Sequence, residues 1–74
     1  MSIERLERVL WRVRKRHPNT TAITNAELKR AIMYECGTDD RTIYMNRKAL
    51  INLQWIKAYG KKKVKLTGKD ITGE

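Results

Sequence analysis

The chain has 74 residues, of which 41% are hydrophobic and 34% charged, and carries a formal net charge of +9. A chain this short makes one domain, buries only about 60% of the surface its unfolded form exposes, and has no room for an enzyme cleft. It is too apolar for a disordered tail and too interrupted by charge for a membrane span. Cys36 and His17 are its only cysteine and histidine. An internal disulfide and a four-ligand zinc site are therefore excluded, and no cofactor, metal or small-molecule ligand is expected. No catalytic set is expected either, because Ser2 and His17 lack a positioned third group and Glu27 and Glu35 fit capping or solvent roles. The N-terminus alternates acids and bases and never reaches the apolar run of a signal peptide, so the default compartment is the cytoplasm.

The charge is unevenly placed. Residues 1 to 40 hold eight bases against six acids, and residues 70 to 74 hold Asp70 and Glu74 without a base. These parts cancel. From Arg41 to Lys69 there are nine bases and no acid, so the whole net charge lies there. A solvated face normally mixes signs. A run without a carboxylate points to a polyanionic partner.

Ile3, Leu6, Val9, Leu10 and Val13 recur with helical spacing and predict an amphipathic helix over 3 to 16, closed by His17-Pro18. Trp11 lies off that stripe, which suits cover for the hairpin or tail, or contact with a second copy in a homodimer. The bases Arg12, Arg14, Lys15 and Arg16 read as a solvated helix end facing the negative pole of the dipole. Residues 19 to 23 suit a turn and a minimal strand. Thr24-Asn25-Ala26-Glu27 is a capping box, with the Glu27 carboxylate expected to reach back to the Thr24 amide. It opens a short helix over 25 to 36, with Leu28, Ala31, Ile32 and Cys36 inward and a left-handed Gly37 at its end.

Thr38-Asp39-Asp40 supplies a hydroxyl cap and two carboxylates to a third helix, roughly 40 to 53. Ile43, Leu50 and Leu53 mark its inner side. Arg41, Tyr44, Met45, Lys48 and Asn52 collect on the other, a mixture suited to phosphates and base edges. The period then changes to two. Ile56 and Ala58, then Val64 and Leu66, are predicted to face the helices across a hairpin whose tip is Gly60-Lys61-Lys62-Lys63. Lysines and Tyr59 point outward. Residues 68 to 74 have little to bury and are expected to fray as a flexible tail behind a domain over 1 to 67.

Helix, strand, helix, tight turn, helix and two-stranded hairpin, in that order over residues 3 to 67, resembles the winged helix-turn-helix fold, an α+β class of three helices with a small antiparallel wing. Locally, Asp39 to Ile43 followed by Leu50, Leu53, Ile56 and Gly60 looks like the recognition-helix and wing segment of winged-helix regulators. The short chain is similar to small winged-helix proteins of archaea and their viruses or plasmids, which would place it in a host cytoplasm if viral. The resemblance implies sequence-specific double-stranded DNA binding and transcription regulation, with the third helix in the major groove and the wing on backbone or minor groove. Arg41, Thr42, Tyr44, Met45 and Lys48 would then face the groove, with Arg41 and Thr42 placed for phosphate and Tyr44 and Lys48 for base contact. Lys61, Lys62, Lys63 and Lys65 would form the wing contact. Two positions depart from the family. Arg47 stands where an apolar residue is usual, which lays it along the core edge with its head free for phosphate. Gln54 stands where glycine is frequent, which suggests a less sharp exit from the helix. A nonspecific architectural DNA-binding protein, or a protein or RNA adaptor, are the competing functional classes.

Overall fold

The computed structural model describes residues 3–72. Its elements are α1 (Ile3–Arg16), β1 (Ala22–Thr24), α2 (Asn25–Cys36), α3 (Asp40–Asn52), β2 (Ile56–Tyr59), β3 (Lys63–Leu66) and α4 (Lys69–Thr72). Among the described residues the protein is α+β, with four helices and one three-stranded antiparallel sheet.

The minimal strand does not stand apart from the hairpin. β1 pairs with β3 through Ala22↔Lys65, Ile23↔Val64 and Thr24↔Lys63, so the strands lie in the spatial order β1-β3-β2 rather than in chain order. Two backbone bonds extend this ladder: the Asn25 amide donates to the Lys62 carbonyl at 2.8 Å, and the Leu66 amide to the Thr21 carbonyl at 2.7 Å. The hairpin is thereby tied to the start of α2.

Leu6, Val9, Leu10 and Val13 of α1 meet Leu28, Ala31 and Ile32 of α2, and Ile43 and Leu50 of α3, in one core closed by Ile23, Ile56, Val64 and Leu66 of the sheet. Burying side chains of this size contributes roughly 1.5–3 kcal/mol each. Ala58, expected inside, is exposed. β2 is an edge strand, and only Ile56 at its first position is covered by the helices. Asn46, which hydropathy would place outside, is 5% exposed on the inner face of α3. Its Nδ2 donates to the Thr42 carbonyl at 2.7 Å, which offsets part of the cost of taking an amide out of water.

The helix ends show where local rules hold. Thr24 Oγ1 accepts from the Glu27 amide at 3.2 Å. The reciprocal half of the box is not made, because the Glu27 carboxylate turns to His17 Nε2 instead. Gly37 ends α2 with φ 131° and ψ 166°, not in the left-handed region but in one that essentially only glycine occupies. The α3 cap is the Asp39 carboxylate, accepting from the Thr42 amide at 3.3 Å, and not the Thr38 hydroxyl.

The exit from α3 is sharp. Gln54 has φ 62°, its amide donates to the Ile51 carbonyl, and the Trp55 amide donates to the Leu50 carbonyl at 3.1 Å. Those two bonds are a Schellman motif with glutamine in the seat that glycine usually takes. Trp55, half-buried against the core, supplies the apolar contact that accompanies it.

The cluster at the end of α1 is not simply solvated. Arg12 donates twice to Glu35 Oε1, at 3.2 and 2.9 Å, and lies over the Tyr34 ring. Arg14 donates from both terminal nitrogens to Asp70, and Lys15 Nζ lies 4.8 Å from the centre of the Trp11 ring. Where a frayed tail was expected, residues 69–72 form a helical turn anchored by Asp70. Residues 73 and 74 of that segment, and Ser2 at the other end, lie outside the described residues. Among the described residues no helix is long and apolar enough to cross a membrane.

Candidate nucleic-acid interface

Inward Ile43, Asn46 and Leu50 fix the rotation of α3, because residues three and four apart share a face. The turn that leaves outside is occupied by Arg41, Tyr44, Met45, Lys48 and Asn52, all exposed. Tyr44 is 59% exposed, and Lys48, one turn on, places Nζ 6.0 Å from the centre of its ring. That distance is the outer limit of a cation–π contact, so both side chains remain available to a ligand.

Thr42 and Arg47 are half-buried and flank this face. Thr42 has its amide and carbonyl committed to Asp39 and Asn46. Ile51 is an addition. It is exposed, seven residues beyond Tyr44 and so on nearly the same meridian of the helix. The sequence reading left Ile51 unassigned; counting two turns from Tyr44 would have found it. Beside Met45 it offers apolar surface of the kind that meets a thymine methyl group.

The second surface is the outer face of the sheet. Pairing sets Lys57 opposite Lys65 and Tyr59 opposite Lys63, with Ala22 and Thr24 beyond them on β1. Because side chains alternate, these residues share one face. Lys57 points outward as the alternation predicts, and the register adds that it sits directly opposite Lys65. Lys65 Nζ lies 6.0 Å from the centre of the Tyr59 ring, a diagonal neighbour across the hairpin. Lys61 and Lys62 are exposed in the turn, and Gly60 enters it with φ 74°. A Cβ there would touch nothing within 4 Å, so the requirement for glycine is one of backbone conformation alone.

The acids, and with them every ion pair among the described residues, lie outside the segment from Arg41 to Lys69. Among the described residues, the pairs are Arg12–Glu35, Arg14–Asp70 and His17–Glu27. Each takes its base from α1 or the residue after it. None of Arg41, Arg47, Lys48, Lys57, Lys61, Lys62, Lys63 and Lys65 has a carboxylate partner among the described residues. The basic segment thus presents unneutralised cations on two exposed surfaces joined by a glutamine-hinged turn. Among the described residues no group of three or more histidine, cysteine or acidic side chains converges to hold a metal ion. Comparison with protein-family models, with curated proteins and with solved structures found no match to this chain.

Proposed function

We propose that this chain is a winged-helix protein that binds duplex DNA and regulates transcription, with α3 in the major groove and the β2–β3 hairpin along the backbone or adjacent minor groove. What carries the reading is the set of bases on the outer faces of α3 and the sheet, in a segment from Arg41 to Lys69 that holds no acidic residue and whose described bases have no carboxylate partner. Arg41 and the wing lysines supply phosphate contacts and counterion release. Tyr44, Lys48 and Asn52, with Met45 and Ile51, supply hydrogen-bonding and apolar contact to base edges.

Fluorescence anisotropy with a labelled duplex across a salt series tests the electrostatic half. Neutralising roughly five phosphates gives a slope of log affinity against log salt of about −4.5. A slope near zero overturns it. Selection from a random duplex pool tests the other half. A specific binder prefers its site by about 10³-fold or more, and the consensus shifts in Tyr44→Ala and Lys48→Ala. An unselected pool assigns the protein to the nonspecific architectural class.

A further inference from the structure

Trp11 is 59% exposed and stands on the side of α1 opposite the core residues Leu6, Val9, Leu10 and Val13. Beside it the anchored α4 turn holds Ile71, 69% exposed, above Asp70. The two enclose a shallow groove of about 430 Å³ lined by Glu7, Arg8, Trp11, Arg14, Asp70 and Ile71. An apolar knob thus adjoins a hole that another knob of the same kind would fill. This self-complementarity is what a two-fold interface between identical chains requires.

The charges on this face select one orientation. Its acids without an ion pair among the described residues, Glu4 and Glu7, lie with Arg8 on the N-terminal side of Trp11, while Lys15 and Arg14, the latter already paired with Asp70, follow it. At about 100° per residue, Glu4 and Lys15 lie on one flank of Trp11 and Glu7 and Arg14 on the other. Parallel pairing of two such helices brings opposite flanks together, Glu4 against Glu7 and Lys15 against Arg14, like charge against like at both ends. Antiparallel pairing about an axis at the level of Leu10 sets Glu4 against Lys15 of the second copy, Arg8 against Trp11, and Glu7 at the edge of the second copy's Arg14–Asp70 pair. Each contact then occurs twice. Lys15 already lies over Trp11 in its own chain, which holds its ammonium at the rim where the second copy's Glu4 arrives.

We infer that the outer face of α1, with Ile71, is a homodimer interface in which two copies pair antiparallel and each Trp11 enters the groove beside the other. A 14-residue helix is about 21 Å long, and its face covers well under the ~800 Å² per partner of a standard interface. The dimer is accordingly weak and concentration-dependent. It uses neither α3 nor the wing, so it stands independently of the DNA-binding reading.

Sedimentation equilibrium of the full chain without DNA tests it. The mass should climb from 8.7 kDa towards twice that value with concentration, and Trp11→Ala should remain monomeric over the same range. Glu4→Lys and Lys15→Glu should each weaken dimerisation by about tenfold or more, since symmetry doubles every like-charge contact, and the double variant should recover to near wild type. Circular dichroism of each variant establishes that the exposed substitution leaves the fold intact. A monomer at every concentration, or a dimer indifferent to Trp11→Ala, overturns the interface. A double variant no better than the single ones overturns its antiparallel arrangement.

Discussion

Arg14 and Asp70, 56 residues apart in the chain, meet through two hydrogen bonds that fasten the C-terminal turn to α1. The two sides are unequal: the Asp70 carboxylate is 4% exposed and the Arg14 side chain 27%. The pair raises the Arg14 guanidinium above its ordinary range, chiefly through the hydrogen bonds it donates to Asp70, against a smaller opposing effect of burial.

That inequality sets the order of two substitutions. Arg14→Ala leaves a covered carboxylate with no cation, whereas Asp70→Ala leaves a guanidinium that can swing into water. Arg14→Ala should cost about 1–2 kcal/mol, between an exposed and a fully buried pair, and Asp70→Ala about half that. Urea unfolding of both variants is the check. Equal losses would mean that the carboxylate is better solvated than its burial indicates.

A second prediction concerns Gln54, whose φ of 62° places a side chain in a conformation that costs about 1–2 kcal/mol. Gln54→Gly removes that cost and adds about 0.4–1 kcal/mol of unfolded-state entropy. It also gives up an exposed hydrogen bond from Lys69 Nζ to Gln54 Oε1, which is worth little. The net expectation is a gain of about 0.5 kcal/mol and a rise in Tm of about 2–4 °C. A lower Tm would show that the Gln54 side chain matters more than its backbone.

The Gln54 result also shows what could be read from the sequence. The bounds of α1 and α2 followed from apolar spacing and caps, because those signals are local, whereas the α4 turn and the spatial strand order β1-β3-β2 rest on contacts between distant residues. The less sharp exit expected at Gln54 was wrong, since a Schellman motif signals itself by glycine and here the tertiary fold imposes the turn on glutamine. Asn46 was missed for a related reason: a buried amide is acceptable only because the Thr42 carbonyl is free to receive it. Cross-chain pairings such as Arg14–Asp70 and Arg12–Glu35 leave no trace in periodicity. The basic surface was the most legible feature, for charge is counted directly. The placement of Lys57 beside Lys65 had to await the register.

Cys36 gives the pH-dependent prediction. It is half-buried beside the core, and burial pushes its thiol above the ordinary value, with a lesser upward push from Glu35 and a downward one from Arg5. A raised folded pKa means that the unfolded chain loses this proton first. The contribution to stability is complete below the ordinary thiol value, about 8.5, and is lost as pH rises through the folded one. The thiolate is the reactive form, so alkylation by iodoacetamide at pH 8 should be slower in the folded protein than in urea. The two rates should converge as pH is raised. Equal rates at pH 8 would place Cys36 in an environment no different from solvent.

Lys57 and Lys65 face each other directly across the hairpin, a like-charge pair that disfavours the folded state. If the outer sheet face exists to meet phosphate, stability and binding must respond in opposite directions to one substitution there. Lys57→Glu replaces repulsion by an opposite-charge pair and should stabilise the fold by about 0.2–1 kcal/mol. The same change puts a carboxylate on a face that has none and should weaken duplex binding, while lowering the magnitude of the salt slope by about 1. Thermal unfolding and a salt-dependent binding series on one preparation measure both. A variant that is more stable and binds DNA with an unchanged slope would remove the outer sheet face from the interface and leave α3 and the turn lysines to carry it.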